Sequence, residues 1–287
     1  MDRNSNSALR TGRRCLAAHL LAVVLSCVAV AVSAGGAAAN SWLRVCADPD
    51  NMPFSNHEGA GFENKLAELI AEKLGAQLDY TWIAEGRGLV RDRMGTTSCD
   101  LVMGYAQGTG LVEDTNPYYY TTYVLLYRAD DATLKGVNTL TDSRLKNKRI
   151  GLFARTPPAS MLAMNGLVAT AKPFEVGDDS SAPAAAIISE LAGGKLDAAL
   201  LWGPVGGYSA QRSDVPLTIM PLVKEQAGPS PIHGITMGVR PNEPEWKHKI
   251  NKVIAENHDE INAILLAYNV PLLDQQGRPI EPRSAER

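Results

Sequence analysis

The sequence contains few of the residues from which catalytic and metal centres are built. Among its 287 residues are four cysteines and five histidines, and it has neither a CxxC nor an HExxH motif. Zinc and redox sites need clustered ligands of this kind, and hydrolytic sites need a nucleophile beside a base. We find no such arrangement and no carboxylate pair at a defined spacing. The sequence therefore predicts a non-catalytic protein without a metal or a cofactor.

The histidines beyond the N-terminal region are scattered along the chain. They are His57, His233, His248 and His258. We expect all four to have surface or capping roles, the last two on the outer side of the final helix.

An excess of positive charge is also missing. The 28 basic and 31 acidic residues give a net charge of −3. Without Asp2 and the four arginines among the first 14 residues, 24 basic and 30 acidic residues remain, a net charge of −6. Such a protein is not attracted to a phosphate backbone, so nucleic-acid binding is excluded.

Only residues 15–32 form a long apolar run, and this run follows Arg3, Arg10, Arg13 and Arg14. Small-residue cleavage motifs follow at 32–34 and 37–39. This order is typical of a secretory signal peptide, so we expect residues 1–39 to be a leader cleaved near 34 or 39. The alternative is a membrane anchor. It is disfavoured because small residues follow the apolar run and because no basic residues flank its C-terminal end, as they would after a membrane-spanning segment. The mature protein is therefore predicted to be exported and not to span a membrane.

Two cysteines, Cys46 and Cys99, remain after cleavage. An oxidising compartment favours a disulfide between them. If Cys46 lies late in one strand and Cys99 lies before a parallel neighbour, their Cα atoms are about 10 Å apart, beyond the ~7 Å limit for a bridge. Both outcomes remain open.

The stretch 43–75 combines a strand, a ligand-sized loop and a helix. The strand 43–48 ends at Asp48, before a proline, and the helix 62–74 has one apolar face and stops at Gly75. The loop 49–61, which contains Phe54, lies at the carboxyl end of a strand, where open α/β sheets bind ligands. Asp48 is either a polar contact or base at this loop, or the residue that turns the chain.

Further βα units predict an α/β fold of two lobes with mostly parallel sheets. Strands are expected at 77–83, 100–104, 121–127, 149–153, 196–202 and 234–239. Helices are expected at 89–94, 156–164 and 182–192, and a terminal helix pair is expected on lobe one within 245–268. Lobe one should comprise residues 40–121 and 232–270, and lobe two residues 122–231, with two crossings that allow the lobes to hinge. The polar, proline-rich tail 271–287 is expected not to pack.

The cleft between the lobes is the predicted site. Phe54, Tyr105, Tyr118 and Trp202 would give it an aromatic lining, although plain strand packing explains the tyrosines equally well. Arg155 and Thr156 precede a helix that starts with proline, so backbone N–H groups there could meet a polar ligand; alternatively, Thr156 merely caps the helix.

The order of these elements resembles that of type II periplasmic binding proteins across nearly the whole mature chain. In their amino-acid-binding branch, an arginine after the second buried strand holds the ligand carboxylate, and an acidic residue after the LDAALL-like strand holds the amine. Here the first segment carries Glu113 and Asp114 but no arginine, and Trp202 takes the acidic position. Free amino acids are therefore not expected as ligands.

Particular strings, in this order, resemble the MxaJ/XoxJ family of J proteins of bacterial methanol oxidation. They are CADPDNMPFSN, GFENKLAELIAEKLG, CDLVMG, TNPYYYTTYV, RTPPA, LDAALLWGP, GITMGVR and AYNVPLL. The resemblance implies a type II periplasmic binding protein fold and a non-catalytic periplasmic accessory factor for a PQQ-dependent methanol dehydrogenase. The dehydrogenase is the implied partner, with its cytochrome c as a second candidate. The alternative is the binding component of an ABC transporter for a small solute other than an amino acid.

Overall fold

The computed structural model describes residues 41–83, 99–108, 112–175, 182–226 and 230–281. The predicted leader at 1–39 and the predicted short helix at 89–94 lie outside these residues. Within them, no helix is both long enough and apolar enough to cross a bilayer.

The strands and helices are named in chain order. The strands are β1 (Ser41–Ala47), β2 (Asp50–Asn51), β3 (Ser55–Asn56), β4 (Ala76–Trp82), β5 (Leu101–Ala106), β6 (Glu113–Asp114), β7 (Tyr119–Thr121), β8 (Tyr123–Arg128), β9 (Ile150–Phe153), β10 (Ala171–Phe174), β11 (Ala198–Trp202), β12 (Leu217–Pro221) and β13 (His233–Val239). The α-helices are α1 (Phe62–Leu74), α2 (Pro157–Met164), α3 (Ala182–Ala192), α4 (Gly203–Gln211), α5 (Pro244–Glu256) and α6 (His258–Ala267).

Lobe one is built on a sheet of order β4-β1-β5-β13-β6, with β7 also paired to β13. Helix α1 covers it as its apolar periodicity predicts: Phe62, Leu66 and Ile70 are buried. Gly75 ends this helix in the left-handed conformation, at φ 63°. Helices α5 and α6 add apolar side chains to the same core. Each buried side chain of this size contributes about 2 kcal/mol through burial.

Lobe two is built on a sheet of order β10-β9-β11-β8-β12. Strands β10, β9 and β11 are parallel, whereas β8 and β12 run antiparallel to their neighbours. In lobe one β13 is antiparallel to β5 in the same way. The predicted two-lobed α/β fold is confirmed, but both sheets are mixed, because β8 and β13 arrive from the other lobe and enter antiparallel.

Cys46 and Cys99 form a disulfide with a Cα–Cα distance of 5.6 Å. The expected separation of about 10 Å is wrong because Cys99 does not continue the line of β5. β1 and β5 pair in the register Cys46↔Val102, and Cys99 precedes β5, which begins at Leu101, yet the Cα of Cys99 lies only 5.6 Å from that of Cys46. The chain before Asp100 therefore turns towards Cys46, and both cysteines are buried.

Asp100 is fixed at this turn by two arginines. Arg44 Nη2 and Arg240 Nη1 each lie 3.0 Å from Asp100 Oδ1. Burial opposes the charged form of Asp100, but the hydrogen bonds from Arg44 and Arg240 outweigh it and hold the pKa of this carboxyl below its ordinary value. The cluster fixes the start of β5 beside the disulfide.

The segment after α6 packs against the molecule, so the prediction of an unpacked tail is wrong for residues 271–281. We call residues 269–281 the C-terminal strap. Leu272 and Leu273 are buried, and the Leu273 N–H donates to the Tyr120 carbonyl. A short turn follows in which Arg278 pairs with Asp274. The polar residues that suggested an unpacked tail thus form the outer turn of a segment held by two leucines.

Candidate functional site

An aromatic cluster lies where the two crossings meet lobe two. The Tyr123 ring is 4.9 Å from the Trp202 ring, the Trp202 ring is 5.3 Å from the His233 ring, and the Tyr123 ring is 5.9 Å from the His233 ring, centroid to centroid. All three contacts are edge-to-face, the favoured geometry for such rings. We call these residues the hinge triad, because Tyr123 follows the first crossing and His233 ends the second.

Trp202 occupies its place for two local reasons. It is the last residue of β11, directly opposite Tyr123 in the antiparallel pair with β8. It is also the N-cap of α4, so its side chain leaves the sheet at the carboxyl edge. The indole is half-buried and also packs against the core of lobe one.

His233 is a functional candidate that the sequence did not reveal, and the surface or capping role expected for it is wrong. Its ring is half-buried in the triad, and this burial lowers its pKa below 6.5. His248 and His258 are exposed, as predicted. The one available signal was position: His233 begins β13 just after Pro231, at the return crossing.

A cavity of about 620 Å³ opens beside the triad. Its walls are Tyr123 and His233, the first turns of α2, and the segment before β13. The lining residues are Tyr123, Arg155, Thr156, Pro157, Ala159, Ser160, Met161, Met164, Glu225, Ser230, Pro231 and His233. This volume is in the range of small-molecule sites. Two predicted site residues, Arg155 and Thr156, therefore line the same cavity as Tyr123 and His233. Trp202 does not line it but contacts both of these rings.

Arg155 stands at the rim of this cavity in an uncommon backbone conformation. Its φ is 58°, in the left-handed region that a residue with a long side chain seldom adopts. The side chain is 79% exposed and pairs with Glu175 across 2.7 Å. An ion pair this exposed is weak, so the guanidinium can exchange partners.

Thr156 does not create the N–H docking site that the sequence suggested. Its hydroxyl donates to the Phe153 carbonyl at 2.7 Å instead of capping α2. Pro157 and Pro158 carry no N–H, and the Ala159 N–H donates to the Thr156 carbonyl. The first turn of α2 thus offers no free N–H at these three positions. Polar contacts here must come from side chains such as that of Arg155.

Of the lobe-one candidates, Asp48 and Phe54 belong to the loop between β1 and α1. Asp48 Oδ1 accepts the Asp50 N–H at 2.8 Å, the turn-forming alternative. The Phe54 ring lies 5.2 Å from the Phe62 ring and is partly buried. Neither residue lines the cavity beside the hinge triad.

Tyr105 and Tyr118 differ in burial. Tyr105 is half-buried and packs against the cluster around the disulfide. Tyr118 is fully buried, so its predicted role in lining the cleft is wrong, and burial raises the pKa of its phenol well above the ordinary value. Tyr118 lies just before β7 and Tyr119 is its first residue; both are buried in the core, whereas Tyr120 is half-exposed.

Comparison with known proteins agrees with this architecture. Residues 43–268 match the bacterial extracellular solute-binding proteins, family 3. The crystal structure of periplasmic binding protein XoxJ from Methylobacterium extorquens AM1 is 39% identical, with a TM-score of 0.69 over 81% of this chain and 100% of that one. Protein MoxJ of Methylorubrum extorquens is 30% identical, covering 80% of this chain and 81% of MoxJ. Protein MoxJ of Paracoccus denitrificans is 28% identical, covering 85% of this chain and 94% of MoxJ. The chain therefore belongs to extracellular solute-binding protein family 3 and, within it, to the group that contains XoxJ and MoxJ.

Proposed function

We propose that the protein is a non-catalytic periplasmic accessory factor that acts on a PQQ-dependent methanol dehydrogenase, engaging it transiently through the predicted cleft between the lobes. The observation that carries this proposal is the hinge triad. Trp202 stands where the amino-acid-binding branch of the resembling proteins has an acidic residue, and its indole is packed against Tyr123 and His233. A ligand amine has no carboxylate to meet at this position.

The surface beside the triad supports a protein partner. Met161 and Met164 lie along the cavity wall, and the Met164 side chain is 50% exposed. Aromatic residues, methionine and arginine are the types enriched at protein interfaces, and Arg155 supplies the last of them at the rim. A loop or helix of the dehydrogenase with an apolar side chain beside a carboxylate fits this arrangement.

Deleting the gene tests the accessory role. We expect less periplasmic dehydrogenase activity and less bound PQQ per dehydrogenase, measured with the immunoblotted dehydrogenase as the reference. Complementation with Met164→Glu should fail to restore both quantities, because a charge would enter the apolar wall. Val168→Glu is the matched control, since Val168 is 55% exposed in the same lobe and does not line the cavity. Unchanged activity, PQQ loading and growth on methanol after deletion would refute the proposal.

A transporter receptor for a small solute other than an amino acid is the second candidate, and the ligand-sized cavity favours it. Calorimetry on the purified protein distinguishes the two. A receptor binds its solute without the dehydrogenase, whereas the accessory factor binds the dehydrogenase itself. Saturable binding of any free amino acid at micromolar affinity would contradict both functions.

A further inference from the structure

The C-terminal strap contacts both crossings between the lobes. On the first crossing, the Thr121 hydroxyl donates to the Pro271 carbonyl and the Leu273 N–H donates to the Tyr120 carbonyl, each at 2.9 Å. On the second, Gly277 lies against Ile232, where an added Cβ would be 2.6 Å from Ile232 Cδ1. The strap therefore packs across both crossing segments, on one side of the hinge that they form.

The strap and the end of α6 also reach directly into lobe two. Asn269 Nδ2 donates to the Gly207 carbonyl of α4 at 2.8 Å. The Tyr208 ring stacks on the Tyr268 ring, with centroids 6.2 Å apart and planes 16° apart. These contacts join the lobes in addition to the crossing strands and the packing of Trp202 on the core of lobe one, because α4 packs on the sheet of lobe two and α6 on the core of lobe one.

Gly207 allows the backbone of α4 to contact the backbone of the strap. A Cβ on Gly207 would overlap the Asn269 carbonyl oxygen and lie 3.1 Å from Pro271 Cδ. The backbones are thus in direct contact, and no side chain at position 207 could be accommodated without moving the strap or the helix. The Arg212 guanidinium also lies over the Tyr208 ring, with Cζ 3.6 Å from the ring centre.

We propose that the C-terminal strap is a conformational restraint that holds the two lobes in one relative arrangement. Rotation of lobe two about the crossings would separate Gly207 from Asn269 and Tyr208 from Tyr268. The cavity beside the hinge triad is then preformed. Two crossings alone would suggest a protein that opens and closes about a hinge, and the strap prevents this motion. This inference concerns the chain itself and does not depend on the proposed dehydrogenase partner.

Pulsed electron paramagnetic resonance tests the restraint on the full mature chain. Spin labels are attached to cysteines placed at the exposed residues Ala169 in lobe two and Ala263 in α6, with the native disulfide intact. We expect one narrow distance distribution in the otherwise wild-type protein. Gly207→Ala should broaden it or add a second population, because the methyl group acts as a wedge against Asn269.

Ser209→Ala is the matched control. It raises helix propensity in the same helix as Gly207→Ala does, without reaching the strap, and it should leave the distribution narrow. A broad distribution in the wild-type protein, or identical narrow distributions for Gly207→Ala and Ser209→Ala, would overturn the inference.

A second pair of variants keeps the test decisive if Gly207→Ala does not fold. Tyr208→Ala removes the ring that stacks on Tyr268, whereas Tyr208→Phe retains it. We expect a widened distribution for the first variant and an unchanged one for the second. Equal distributions for the two variants would show that this contact does not restrain the lobes.

Discussion

The loops after β1 and β9 occupy equivalent places in the two lobes, each leading from the carboxyl end of a strand into the next helix, but they are built differently. In the loop after β1, Asn64 Oδ1 accepts the N–H groups of Asn56 and Gly61, and Asp48 accepts that of Asp50. In the loop after β9, Arg155 is strained and largely exposed. The first loop uses its polar groups internally, and the second directs a charge to the cavity rim. Stability should therefore depend on the first loop and recognition on the second.

Removing the disulfide at the end of β1 should have the largest effect on stability. Cys46 and Cys99 close a loop with a sequence separation of 53 residues, for which chain entropy predicts a loss of about 4 kcal/mol in the double variant Cys46→Ala/Cys99→Ala. Urea unfolding, followed by the fluorescence of the native tryptophans, measures this loss. A loss below about 1 kcal/mol would mean that the bridge stores strain that offsets its entropic gain.

Asn64→Ala should cost the next largest amount, about 2–4 kcal/mol. Asn64 is fully buried, and truncation leaves the N–H groups of Asn56 and Gly61 without their acceptor. The matched change after β9 is Thr156→Val, which removes one hydrogen bond to Phe153 and should cost about 1 kcal/mol. Equal losses in urea unfolding would remove the distinction between the two loops.

The elements that sequence reasoning found are those with strong local signals. Helix α1 has a repeating apolar face and a terminal Gly75, and α3 spans the range predicted for it. The terminal helix pair expected within 245–268 is present as α5 and α6, which meet at Asn257.

The elements that it missed depend on tertiary contacts. The sequence of α4, GPVGGYSAQ, reads as a loop, because Gly206 and Gly207 weaken a helix. Gly206 leaves room for Val124, and Gly207 leaves room for the strap. At these two positions glycine lowers the helix propensity but permits close packing. The need for this packing arises from tertiary contacts and cannot be read from a local sequence pattern.

The site was predictable only by position. Strand ends predicted Arg155, Thr156 and Trp202; the structure places the first two at the cavity and the third in the triad, and their role in binding stays a prediction. Sequence alone could not tell which tyrosine turns inward, since Tyr118 is core and Tyr123 lines the cavity, although both belong to the same aromatic stretch of sequence. Such choices are set by strand register, because a shift of one residue moves every side chain of a strand to the opposite face.

Arg155 offers a smaller test of the second loop. Because its φ is 58°, Arg155→Gly should be more stable than Arg155→Ala by about 1 kcal/mol, although both lose the same ion pair. The pair Asn147→Gly and Asn147→Ala is the positive control, because φ there is 67° and the same preference for glycine over alanine is expected. Thermal unfolding of the four variants gives the comparison. If Arg155→Gly and Arg155→Ala were equally stable, the backbone at the rim would carry no strain.

The smallest effect concerns His233 and is confined to acidic pH. Burial lowers its pKa in the folded state, so the unfolded chain binds a proton at a higher pH than the folded one. Its stabilising contribution is complete above about pH 6.5, the ordinary histidine value, and is lost progressively as the pH falls from there towards the lowered folded pKa. His233→Phe keeps a ring against Tyr123 and Trp202 but cannot titrate. The difference in unfolding free energy between wild type and His233→Phe, measured from pH 8 to pH 5, should therefore be flat at neutral pH and turn against the wild type below about pH 6.5. A difference that stayed constant over this range would contradict the prediction. It would mean that cation–π attraction to the two neighbouring rings offsets the cost of burying the protonated His233 ring.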